Sequence, residues 1–220
     1  MLRRPRQVAT AALAATLLAA TLIPSAAAHE GSVLQDLVRA AIATAPFHST
    51  KLAGRAGYGP FPKGAPLHEC ISSLDGTGAM GFHWLDADNL STHLDVRKPQ
   101  VLVYAPDRHG RLHLVALEYV VFKADWDAAH PGTTPMLFEQ MFMETGFPNR
   151  YAIPAFYSLH VWLWRYNPSG LFAPFNPRVS CDPGRKHADA GTPASLASID
   201  ADVTAARGAA SRFACAIRSA

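Results

Sequence analysis

The chain has 220 residues, 49% of them apolar and 17% charged, a balance that excludes a disordered polymer and supports one packed domain. Part of its formal net charge of +3 sits in a basic N-terminal segment, and no Lys/Arg run interleaved with aromatics marks a nucleic-acid surface, so nucleic acid is not an expected partner. After residue 28 no apolar run reaches the length of a membrane span.

Residues 1–28 read as a signal peptide. Arg3, Arg4 and Arg6 form its basic region, residues 8–23 its apolar region, and Ala26, Ala27 and Ala28 a small-residue cleavage signal. The expectation is a secreted or cell-envelope protein that leaves by the general secretory route. Cleavage there would expose His29 as a first-residue copper ligand, but such a brace needs a partner histidine that the sequence does not identify. A single domain is expected over residues 29–183. From residue 184 to 220 the composition shifts to Ala, Ser, Asp, Thr and Gly, which reads as a mobile tail. Of the three cysteines, Cys70 and Cys181 lie in loop-like sequence that brackets the strand signals and are the expected disulfide, leaving Cys215 over. Closing so long a loop contributes about 4–5 kcal/mol in the chain-entropy model.

In chain order, Ser32 and Gln35 have the spacing of a capping box, and Val33, Leu34, Leu37, Val38, Ala41 and Ile42 form one apolar stripe of a helix. A second short helix is expected over residues 46–56, stopped by Gly57. Pro and Gly make residues 57–78 a connector. Residues 79–85 read as a strand with Ala79, Gly81, His83 and Leu85 on one face, the small residues leaving room for a ligand or a neighbouring backbone. Residues 100–105 and 111–123 form a hairpin about a turn at 106–110, with Val101, Val103 and Ala105 on the face of Glu118. A loop follows to residue 135. Residues 136–143 are ambiguous between strand and helical turn, with methionines that read as gap-filling core side chains. Residues 156–165 are the second long strand, placing Ser158, His160, Trp162 and Trp164 together. The fold class is α+β: a mainly antiparallel four- to five-stranded sheet with one or two N-terminal helices.

Glu118 is the most informative residue. Strict alternation puts it in a row with Leu112, Leu114, Ala116, Val120 and Phe122, where an isolated ionised carboxylate would cost several kcal/mol, so it must be protonated, paired, hydrogen-bonded or metal-bound. His83, Glu118 and His160 are expected to converge from three neighbouring strands. Two imidazoles and a carboxylate suit zinc, iron or copper, so His83, Glu118 and His160 are the candidate metal ligands, with a metal ion or an unknown small ligand as partner. The alternative is a structural cluster of hydrogen-bonded polar groups in a non-catalytic extracellular or cell-envelope binding module. A metal-free acid–base pair ranks below both, because no G-x-S-x-G, Walker loop or C-x-x-C accompanies it. Catalysis is therefore left open. His109 and His113 read as surface residues, and Asp125, Asp127 and His130 as a solvated loop. Trp162, Trp164, Tyr166, Phe172 and Phe175 suit either a core or a ligand groove.

The motifs Gly78-Ala79-Met80-Gly81-Phe82-His83, Val101-Leu102-Val103-Tyr104-Ala105-Pro106, Val115-Ala116-Leu117-Glu118-Tyr119 and Leu159-His160-Val161-Trp162-Leu163-Trp164 occur in this order. Asn167-Pro168-Ser169-Gly170-Leu171-Phe172 and Asn176-Pro177-Arg178-Val179-Ser180-Cys181 follow. Over residues 44–181 the chain thereby resembles an uncharacterised family of exported bacterial proteins. The resemblance makes His83, Glu118 and His160 parts of recognisable motifs and implies no activity.

Overall fold

Residues 112–122 are apolar except for His113 and Glu118 and carry the strand formers Val115, Tyr119, Val120, Val121 and Phe122, and this stretch forms the longest strand and the middle of the sheet. The computed structural model describes residues 26–61 and 70–182. Residues 1–25 of the leader expected over residues 1–28, the tail from residue 184 and Cys215 lie outside the described residues, while residues 26–28 are helical. The strands are β1 (Gly59–Pro60), β2 (Ile71–Ser72), β3 (Ala79–Leu85), β4 (Val101–Pro106), β5 (Leu112–Phe122), β6 (Met136–Leu137), β7 (Gln140–Met141), β8 (Met143–Thr145) and β9 (Phe156–Val161). Six run in the order β1-β3-β4-β5-β9-β8, with β2 also pairing β3, and β6 and β7 make a separate hairpin. Every pairing is antiparallel. The four longest strands β3, β4, β5 and β9 are those expected, and two- and three-residue strands widen the sheet at its edges.

One residue upsets the expected alternation. Val103 faces Ala116, but the next residue, Tyr104, faces Leu114, which leaves Val115 unpaired in β5 as a bulge. The Val115 carbonyl accepts a hydrogen bond from the Trp164 amide instead. Beyond the bulge the side chains change face. Glu118 keeps Val101, Ala116, Val120 and Phe122 as companions, whereas Leu112 and Leu114 turn to the face of Tyr104. A similar break falls in β3, where Gly81 has φ +119° and an added methyl would run into the Tyr104 carbonyl oxygen. The room expected beside His83 at this position is thus taken by a neighbouring backbone. Met80, rather than Gly81, joins His83 and Leu85 on the open face of the sheet.

The N-terminal helices cover the other face. Helix α1 (Ala26–Thr44) begins before Ser32, so the expected capping box falls inside it. Its buried stripe is Val33, Leu37, Ala40 and Thr44, while Val38 and Ile42 are exposed. That spacing of four, three and four residues keeps one face inward, and Thr44 can be buried because its hydroxyl donates to the Ala40 carbonyl at 2.8 Å. A 3-10 turn (Ala45–His48) leads to α2 (Thr50–Arg55), and Gly57 at φ +104° follows it as expected. Tyr104 donates to the Phe47 carbonyl at 2.7 Å and ties this layer to the sheet.

Three expected elements differ. Helix α3 (Lys123–Ala129) stands where a loop was expected, with Trp126 buried beneath it. Strand β9 ends at Val161, because Trp162 instead bonds its backbone N–H to Leu171 and its indole N–H to Ala173. Met136, Met141 and Met143 are more than half exposed and are not core residues. The expected disulfide is present: Cys70 and Cys181 are bonded, with Cα atoms 5.3 Å apart at a sequence separation of 111.

Candidate metal centre

The register brings the three expected ligands together on the face away from the helices. Glu118 lies directly opposite His160 across β5 and β9. His83 comes from β3, two strands from β5, and stands opposite Val103. Val101 and Val103 lie between, and their short side chains let His83 and Glu118 meet over them. His83 Nε2 lies 3.4 Å from one carboxylate oxygen of Glu118, and His160 Nε2 lies 3.7 Å from the other. The imidazole centroids are 6.0 Å apart at 83°. One donor atom from each residue falls within 4.8 Å of the other two, and all three residues are metal-ligand types.

Neither distance is that of a strong hydrogen bond, which spans about 2.7–3.2 Å for N–H to O. His160 Nε2 has no hydrogen-bond partner although it is fully enclosed. Burial pushes both imidazoles below their usual range, His160 to about 4, and pushes the Glu118 carboxyl up. Nearby Glu118 offsets part of the shift at His83, and the Ser158 hydroxyl offsets part of that at Glu118. All three net shifts favour neutral groups, as expected where water is excluded.

Above the cluster opens a cavity of about 410 Å³. Its floor holds His83, Glu118 and His160, and its sides are mostly aliphatic and aromatic. Tyr151 and Ser158 also reach this space and were not singled out as site residues in the sequence. Ser158 was detectable, since it lies two residues before His160 on the same face. Tyr151 was not, because it sits in an irregular connector, and only the fold brings its phenol close enough to feel the charge of Glu118.

The other candidates separate by environment. His113 lies 3.1 Å from Asp107 on the surface. Asp127 pairs with Lys123 at 2.6 Å and accepts from the Tyr157 hydroxyl, while His130 stacks on Trp126, so the expected acidic loop is an ion-paired helix instead. Phe172 and Phe175 line the cavity, whereas Trp162 is core. No Gly-rich dinucleotide turn is expected from the sequence; Gly76, Gly78 and Gly81 do have that spacing, but they lead into β3 and not into a helix, so the phosphate-binding geometry is missing. Asn167 and Asn176 cap turns through their side chains and have structural roles. The disulfide points to an oxidising, extracytoplasmic compartment. No helix among the described residues is long and apolar enough to cross a membrane. No family model, curated protein or solved structure matches the chain, so the buried cluster stands on its own geometry as either a metal site or a structural polar group.

Proposed function

We propose that the protein is exported and binds one divalent transition-metal ion through His83, Glu118 and His160. The spacing of the cluster carries this reading. Ligands of a tetrahedral zinc ion at about 2.0–2.1 Å stand about 3.3 Å from one another; the histidine–carboxylate separations, 3.4 Å to one oxygen and 3.7 Å to the other, lie near that value, and one donor atom from each residue falls within 4.8 Å of the other two. The same separations are long for mutually hydrogen-bonded groups, and the buried His160 Nε2, which has no hydrogen-bond partner, fits a ligand atom better than a member of a closed polar cluster. An ion would reverse the effect of burial at Glu118, since a dication favours the ionised carboxylate, and would reinforce it at the two imidazoles, which bind as neutral ligands. Imidazole and carboxylate donors suit zinc, iron or copper. The leader-like residues 1–28 and the disulfide support export.

Metal analysis after reconstitution tests the reading. The parent should take up one zinc per chain, and Glu118→Gln and His160→Ala should fall well below that while keeping the parent's circular dichroism. Sub-stoichiometric zinc in the parent, unchanged by either substitution, would leave the cluster as a structural polar group.

A further inference from the structure

The cavity above the cluster constrains what else can enter. Its volume of about 410 Å³ lies within the range of small-molecule sites, about 300–1,000 Å³. Val101, Val120 and Phe122 furnish the sheet side of the wall, and Ile71, Phe172 and Phe175 close it from the flanks. Neither lysine nor arginine occurs among the described lining residues. The ionisable groups His83, Glu118 and His160 gather at the floor with Ser158, while Gln140 and Thr145 add neutral polar groups on the segments of Met141 and Met143. A mostly apolar cavity whose ionisable groups all lie at its floor selects a molecule with one charged end and an apolar body.

We propose that this cavity receives a chain-like apolar molecule ending in one carboxylate, with the head at the metal and the tail along the wall. The placement of the head rests on the metal reading above. Three protein donors leave a coordination position open on a zinc-type ion. A dication held by one carboxylate and two neutral imidazoles keeps one positive charge, and the described wall offers no charged side chain to balance it. A monoanionic head removes that excess in a low-dielectric site, whereas a dianionic phosphate would leave the opposite sign. The molecule enters between Met141 and Met143. Both line the cavity and are also more than half exposed, so the cavity reaches the surface there. Flexible thioether side chains at such a rim adapt to chains of different length.

Calorimetric titration of the zinc-loaded, full-length protein with hexanoate, octanoate and decanoate tests this. Affinity should rise about fourfold per added methylene, the factor that burying each CH₂ group in an apolar wall supplies. 1-Decanol should bind at least tenfold more weakly than decanoate. Thr145→Trp, which fills the wall opposite Phe156 rather than beside the ligands, should keep one zinc per chain and lose decanoate binding at least tenfold. Ile153→Trp, on a partly exposed part of the lining, does the same work if that variant does not fold. A flat series, or decanoate binding indifferent to both variants, overturns the proposal while stoichiometric zinc leaves the metal reading standing. Decanoate bound equally well by metal-free protein overturns the placement of the head. Failure to bind zinc, with a length-dependent series on the metal-free protein, overturns the metal reading and that placement together.

Discussion

The two faces of the sheet solve the same problem of buried polarity in opposite ways. On the helix-covered side each deep hydroxyl reaches a backbone carbonyl: Tyr58 donates to Pro99, Tyr104 to Phe47 and Tyr119 to Val96. Gln100, also fully buried, accepts from the Val120 amide and donates to the Asn89 carbonyl. On the cavity side, His160 Nε2 has no partner, and two imidazoles approach a carboxylate without hydrogen-bonding to it. The same strands supply both faces, so the difference lies in what the side chains were selected to meet. One face is saturated from within, and the other keeps donor capacity in reserve.

Removing the bridge gives the largest expected effect and should split the two faces. Cys70→Ser with Cys181→Ser should lower unfolding free energy by about 2–5 kcal/mol in denaturant titration. Cys70 adjoins Ile71 of the cavity wall, so hydrogen exchange should quicken around β2 and residues 171–179 before it does in β4 and β5. Equal loss of protection on both sides would erase the distinction.

Truncations on opposite sides sharpen it next. Leu117→Ala, fully buried on the helix side, should cost about 3 kcal/mol, because a closed core pays for the vacated volume as well as for lost transfer. Val120→Ala opens onto space that already exists, so its cost should stay near about 1 kcal/mol. Denaturant midpoints at equal slope measure both, and similar values would mean that the cavity is closed in solution.

Glu118→Gln is expected to have a smaller effect and an unusual sign. In metal-free protein it removes a carboxyl whose ionisation burial opposes, so stability should be unchanged or rise by about 1 kcal/mol. The same substitution on the zinc-loaded protein should lower the melting temperature, since the ion's contribution to folding is lost. A fall in both states would assign Glu118 to the scaffold.

The smallest effect concerns acid. Hydrogen bonding from Arg97 holds the Asp95 carboxyl at about 2, below the unfolded value of about 4. Its contribution is therefore present above about pH 4 and is lost as pH falls towards about 2. Asp95→Asn should flatten that part of the stability profile, and it should leave zinc uptake untouched because the loop serves the helix side through the Val96 carbonyl. Impaired uptake would tie the two faces together.

The site was readable in the sequence to the extent that alternation governs it. A carboxylate in a hydrophobic strand was informative because Glu118 faces inward wherever the neighbouring strands lie. His83 and His160 followed from the same rule applied to β3 and β9. What alternation could not reveal was its own interruption. Val115 leaves no compositional mark, and it moves Leu112 and Leu114 to the other face. Gly81 does carry a mark, but glycine indicates only that a close approach occurs and not which backbone makes it. In α1 the hydrophobic count chose Val38 and Ile42, whereas packing chose the slimmer Ala40 and Thr44. The methionines misled for a similar reason, because a flexible apolar side chain serves a core and a rim equally well. Tyr151 had no periodic context and became visible only in three dimensions.

The distribution of the three donors along the polypeptide has a consequence for how the protein matures. His83, Glu118 and His160 are contributed by β3, β5 and β9, and no short segment contains more than one of them. A nascent or translocating chain therefore offers a passing ion nothing better than a solitary side chain. If the cluster is a metal centre, chelation by all three becomes possible only after the last of these strands has docked, so loading would follow completion of the sheet, and an occupied centre would certify that assembly has finished.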